Sequence, residues 1–229
     1  MTLRLQLSIL GVMEPQAAAK QSSDASLPQS ADASVESVDG RRARSQRSHD
    51  LVVEALLDLY RENAGRPSAA AVAERAGVSV RTVFRLFEDI DSLIEIAVAQ
   101  QWERIGDLHE APDSSGAPEE RCSALVSQRL RIYAETAPIV RGSRHLFDQS
   151  PKLRRVVRSR RDLLRIQLTE QFENEIGNRS EADANELVSA LELACSFESI
   201  EFLTVVEGLS SEQVERVVNR TMLALLRSF

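Results

Sequence analysis

The stretch from Ser68 to Phe87, SAAAVAERAGVSVRTVFRLF, constrains this chain more than any other. Val72, Ala73 and Ala76 give a short helix one apolar face, and Ser68 is placed to accept a hydrogen bond from its first free amides. Gly77 follows where a sharp turn needs positive φ, which glycine tolerates without steric cost. Val78 fills the corner and Ser79 caps a second helix. On that helix Val83, Leu86 and Phe87 recur at three and four residues and face inward. Small Ala73 lets the two helices approach closely. This is the spacing of a helix-turn-helix unit. Its outward set, Val80, Arg81, Thr82 and Arg85, suits bases and phosphates.

Charge is divided unevenly along the 229 residues. The net charge of −7 argues against a protein that coats nucleic acid non-specifically. From Arg41 to Phe87, however, nine arginines face five acidic residues, whereas residues 88–229 carry 17 basic and 25 acidic side chains. A basic head on an acidic body suits a chain that meets DNA at one end. Arg41, Arg42, Arg44 and Arg47 form a run without acids just before the first helix. Such a run is either solvated or an arm that crosses a phosphate backbone or enters the minor groove.

Other chemistries find little support. Cys122 and Cys195 lie far apart in no metal-ligand spacing and read as reduced, helix-buried thiols. His49, His109 and His145 are scattered, so neither a metal nor a cofactor is expected. No run approaches the ~20 apolar residues of a membrane span, so a cytoplasmic protein is expected. Met1–Met13 reads as a disordered leader, or as residues upstream of a true start near Met13. Residues 14–40, rich in Ser, Ala, Asp, Gln and Pro without periodicity, are expected to be disordered, so the tail runs to residue 46.

The folded chain reads as all-α, with about nine helices. A helix is expected over about His49–Asn63, ended by Ala64-Gly65, followed by the two helices of the turn unit. Asp89 caps another to about Gly106, and the loop at 107–118 marks a boundary between a head (47–106) and a body (107–229). In the body, helices are expected from Pro118 to about Thr136 and, restarted by Pro138, to about Phe147. Further helices cover Pro151 to Ile176, about Asp183 to Val206, and, behind a Ser210–Gln213 capping box, a last one to about Arg227.

This arrangement resembles the TetR/AcrR family of bacterial transcriptional regulators over about Arg47–Trp102, carried by AVAERAGVSVRTVFRLF and by Asp91-Ser92-Leu93 opening helix four. The family pattern has Tyr where this chain has Phe84 and Lys where it has Ile90, so two phosphate-binding groups are absent. The resemblance implies an N-terminal three-helix DNA-binding head, a connector helix, and a helical body that binds an effector and forms a homodimer through its last two long helices. The DNA-contacting set is then Arg44, Arg47, Ser68, Ser79, Val80, Arg81, Thr82, Phe84 and Arg85. It also implies a repressor released from a palindromic double-stranded operator by a small molecule. An activator, an effector-independent DNA-organising protein and an all-helical enzyme are the alternatives, and no nucleophile–base or metal spacing supports the last.

Two charges interrupt apolar stripes in the body. Arg160 falls among Leu153, Val156, Val157 and Leu164, and Glu198 among Leu187, Leu191, Ala194, Phe202 and Val205. A charge in an apolar stripe is costly unless paired. Arg160 and Glu198 could bridge each other, or Glu198 could lie across a dimer interface. Alternatively Arg160 lines an effector cavity and meets a carboxylate or phosphate, with Trp102, His145 and Phe172 as walls.

Overall fold

The computed structural model describes residues 32–62 and 65–228, with side chains placed from Arg42 onward. The chain divides into two compact units, residues 1–48 and 49–229. The helices are α1 (Asp32–Glu62), α2 (Ala69–Arg75), α3 (Val80–Leu86), α4 (Ile90–Arg104), α5 (Pro118–Ser143), α6 (Pro151–Gln171), α7 (Glu173–Gly177), α8 (Glu181–Ala194), α9 (Phe197–Glu201) and α10 (Ser211–Ser228). Short 3₁₀ turns occupy Gly106–His109 and Arg144–Leu146, and a π-helical turn spans Phe202–Val206. No strand occurs among the described residues, and none of their helices is long and apolar enough to cross a membrane.

The helix α1 begins at Asp32, which corrects the expectation of a disordered tail for residues 32–46. No proline interrupts residues 32–46, so every backbone amide there can donate within a helix. Residues 1–31, with the leader and alternative-start readings, lie outside the described residues, as does Ala64.

Two apolar cores organise residues 49–229. The first gathers Val52, Val53, Leu56 and Tyr60 of α1, Val72, Val83 and Phe87 of the turn unit, and Leu93, Ile94 and Val98 of α4. It continues without a break into Ile132 and Ile139 of α5 and Leu153 of α6. The second joins Leu125, Val126 and Tyr133 of α5 to Phe172, Leu187, Leu191, Val214, Val218 and Met222. Two helices contribute to both: α5, and α6 through Leu153 in the first core and Leu168 in the second.

Three helix boundaries differ from the sequence expectation. Pro138 lies inside α5 rather than restarting the chain. An interior proline costs about 3 kcal/mol or more. Here the buried Ile132, Tyr133, Ala137 and Ile139 anchor the helix on both sides of it. The long helix α6 stops at Phe172, whose φ of −120° and ψ of 28° are not helical, and α7 follows. The expected 183–206 helix breaks at Cys195, because Ser196 caps a new helix by accepting from the Ser199 amide at 3.1 Å.

Candidate nucleic-acid interface and effector residues

The turn between α2 and α3 is a Schellman closure. The Val78 amide donates to the Ala73 carbonyl at 3.0 Å and the Gly77 amide to the Glu74 carbonyl at 3.1 Å. Gly77 has φ +66°, and a Cβ there would meet nothing within 4 Å, so backbone conformation alone calls for glycine. Ser68 Oγ accepts from the Ala71 amide at 3.2 Å and caps α2. Ser79 Oγ accepts from the Thr82 amide at 3.1 Å and shares a 2.9 Å hydrogen bond with the Thr82 hydroxyl. Val72, Ala73, Val83 and Phe87 are buried as expected, and half-buried Val78 and Leu86 pack against the same core.

What α3 leaves outside is an apolar-and-cationic face. Val80 is 40% and Phe84 51% exposed, flanking the exposed Arg81 and Arg85, while Thr82 is half-buried. The arginines of this region fall into two groups. Arg61 pairs with Asp58 at 2.7 Å, Arg75 with Glu62 through two hydrogen bonds of 2.9 and 2.6 Å, and Arg66 with Asp91. The Arg75 contact holds the Glu62 carboxyl below its ordinary range. Arg81 and Arg85 form no ion pair among the described residues. Their charge is therefore available to a partner. In the other unit, Arg44 and Arg47 are exposed on α1. Asp89, capping α4 through the Ser92 amide at 2.7 Å, has its carboxyl held low by that bond.

The five residues considered for an effector separate. Arg160, half-buried, sits with its Cζ 5.8 Å from the centre of the buried Trp102 ring. The other three lie elsewhere. His145 is exposed in the 3₁₀ turn after α5 and makes no ring contact with Trp102. Phe172 is fully buried in the second core under Arg121, 5.4 Å from its ring centre, whereas Trp102 belongs to the first core. Glu198 is exposed and lines an open groove with Phe202 and Val217, and no Arg160–Glu198 ion pair forms. The wheel argument found Arg160 and Glu198 because both interrupt stripes. Phe172, named as a wall, lies apart from Arg160 because the helix expected to reach Ile176 breaks there and its ring enters the second core.

Two neighbours were missed. His109, in the Gly106–His109 turn, packs against Trp102 with ring centres 5.5 Å apart. The loop composition around it gave no periodic signal. Arg129 is 5% exposed inside α5 and interrupts the stripe of Val126, Ile132 and Tyr133 much as Arg160 interrupts its own. The same test applied to α5 finds it. Elsewhere in the body Arg161 and Arg165 of α6 both meet Glu192 of α8, and Arg141 meets Glu201. No group of three or more His, Cys, Asp or Glu that could hold a metal ion occurs among the described residues.

The large exposed apolar residues concentrate near the C-terminus: Leu193, Phe202, Val205, Val206 and Val217. On the same helices Leu187, Leu191, Val214 and Val218 are buried in the second core, and Leu225 is half-buried against it. These helices thus have two apolar faces, one of which packs within the chain.

No family model matches the sequence, and no curated protein matches it. Solved structures do. A transcriptional regulator from Rhodococcus sp. Rha1 superposes with a TM-score of 0.61 at 18% identity, covering 78% of this chain and 96% of that one. A TetR-family transcriptional regulator from Streptomyces coelicolor gives 0.58 at 18% identity, covering 80% and 87%. A TetR-family regulator from Mesorhizobium loti gives 0.54 at 18%, covering 80% and 97%. With its helix-turn-helix head built on Gly77 and its helical body, the chain has the all-α fold of the TetR-family transcriptional regulators.

Proposed function

We propose that this chain is a sequence-specific DNA-binding transcriptional regulator. The observation that carries the reading is the contrast among the head arginines: Arg61, Arg66 and Arg75 are neutralised by carboxylates, while Arg81 and Arg85, on the outer face of α3, form no ion pair among the described residues. Four residues apart, they lie on one helix face, where either suits bidentate contact with guanine O6 and N7. Val80 and Phe84 offer apolar contact to thymine methyl groups. Ser68, Ser79 and Thr82 fix the orientation of the unit, and Arg44 and Arg47 add phosphate contacts from α1. The head (47–106) reads DNA and the body (107–229) dimerises through the exposed apolar surface around Phe202 and Val217, presenting two heads to a pseudo-palindrome. An effector bound in the body that favours another head spacing releases the operator, which makes the protein a cytoplasmic repressor rather than an enzyme.

The test is selection of bound sequences from a random DNA pool with the full chain, followed by titration of the enriched site. A shared palindromic motif is expected, and Arg81→Ala and Arg85→Ala should each weaken it by ~1–3 kcal/mol while relaxing preference at one base pair. Enrichment of no sequence, or variants that bind as tightly as the parent, overturns the reading.

A further inference from the structure

Around the Trp102–His109 pair the fold places two guanidinium groups, Arg160 beside the indole and Arg129 acting on the imidazole, with no carboxylate among the described residues bonded to either. Arg160 forms no hydrogen bond or ion pair among the described residues, although it sits in an apolar stripe between half-buried Val156 and Leu164. The acid that acts on it is Glu103, an exposed residue of α4. Arg129 of α5 is buried and meets neutral groups: Gln128 Oε1 at 2.6 Å, Gln167 Oε1 at 3.2 Å, the Leu164 carbonyl at 2.8 Å and the Cys195 thiol. Buried cations without an anion are costly.

Two buried polar atoms in the same cluster also lack partners among the described residues. Trp102 Nε1 is a donor with nothing to donate to. His109 Nδ1 lies 3.0 Å from the Ile105 carbonyl, which can only accept, so Nδ1 carries the proton and Nε2 is left as an unpaired acceptor. Burial and the charges of Arg160 and Arg129 keep this imidazole neutral, lowering its pKa to about 4. A cation, a donor and an acceptor therefore lie together unmet, with rings 5.5 Å apart and the guanidinium 5.8 Å from the indole. Native structures seldom leave such groups unsatisfied, and each calls for an explanation.

We propose that Trp102, His109 and Arg160 bind an organic carboxylate that carries a hydroxyl group next to the acid and an apolar body. The carboxylate accepts from Arg160 and from Trp102 Nε1, and the hydroxyl donates to His109 Nε2. Val156 and Leu164, one turn to either side of Arg160, contact the apolar body. The site's role in regulation rests on the function proposed above, whereas its chemistry does not.

Trp102 is the only tryptophan, so its emission reports the site directly in the full chain without DNA. A failure here is thus distinct from a failure of DNA recognition. Four probes separate the chemistries: mandelate (carboxylate and hydroxyl), phenylacetate (carboxylate alone), phenylacetamide (neutral) and inorganic phosphate. Mandelate should give a saturable change at millimolar concentration, phenylacetate should bind about tenfold more weakly, and the other two should give none. Arg160→Met should weaken mandelate at least about tenfold, and His109→Phe should remove its advantage over phenylacetate. Should Arg160→Met fail to fold by circular dichroism, Arg160→Gln is read in the same way. The proposal is overturned if mandelate gives no saturable change, if phosphate saturates the signal equally, if the Arg160 variant binds mandelate like the parent, or if both Arg160 variants unfold.

Discussion

Tyr60 of α1 packs its ring so closely on Gly142 of α5 that a Cβ at residue 142 would overlap the ring. Tyr60 is 1% exposed, its hydroxyl has no hydrogen-bond partner among the described residues, and burial pushes its pKa up to about 12. A glycine inside a helix weakens it by about 0.5–1 kcal/mol relative to alanine. Here that is outweighed by the close approach of α1. Gly142→Ala should therefore destabilise, by about 1–3 kcal/mol from overpacking, although it raises helix propensity. Tyr60→Leu should restore much of the loss in the double variant. Chemical denaturation of the four proteins in the cycle measures the coupling, and additive effects would show that the two residues do not press on each other.

The turn of the head is set by conformation and capping. Gly77→Ala forces a Cβ into the left-handed region and should cost about 1–2 kcal/mol, with no steric contribution because the space is open. Ser79→Ala removes the α3 cap and should cost about 1 kcal/mol. Both losses should appear in thermal unfolding of the full chain. Ser79→Asp, which keeps the cap, should retain stability but place an anion on the proposed DNA face, and so weaken DNA binding selectively.

His109 supplies a pH dependence with a definite sign. An unfolded histidine protonates near the ordinary value of 6.5, the folded one only near about 4, so across this window the unfolded state binds more protons. Stability is fully present above pH 6.5 and is lost as pH falls toward 4, by up to about 3 kcal/mol from this residue. His109→Phe keeps a ring against Trp102 and removes the titration. Urea midpoints measured down that pH range should fall less steeply in the variant than in the parent.

Both thiols should be inert in the native chain. Burial raises the Cys122 thiol to about 12, and burial raises Cys195 as well, against the opposing charge of Arg129. A thiol-specific chromogenic reagent at mildly alkaline pH should label neither until the protein is unfolded, then both. Rapid labelling of one thiol under native conditions would mean that its surroundings open far more often than the packing allows.

The exposed Phe202, Val205 and Val217 make a separate prediction about assembly. Sedimentation should report a dimer at micromolar concentration, and Phe202→Glu with Val217→Glu should give a folded monomer, since both side chains are largely exposed in the single chain. A parent that sediments as a monomer while binding a full palindrome tightly would sink the dimer.

Much of the head was legible in the sequence because its determinants are local. The positive φ of Gly77, the caps at Ser68, Ser79 and Asp89, and the inward set of Val72, Val83 and Phe87 each depend on a few neighbouring residues. Which arginines keep a free charge was not local. Arg75 and Arg81 look alike in the sequence, and only packing brought Glu62 to Arg75, 13 positions away, while leaving Arg81 open. In the body, periodicity marked apolar faces but not their partners. It could not say that Leu191 is core and Val205 surface, that α5 runs through Pro138, or that a helix ends at Phe172. The apposition of Arg160, Trp102 and His109 likewise joins three separate elements, and no spacing within any one of them encodes it. Local backbone chemistry is written residue by residue, whereas burial and charge compensation are set by which distant surfaces meet.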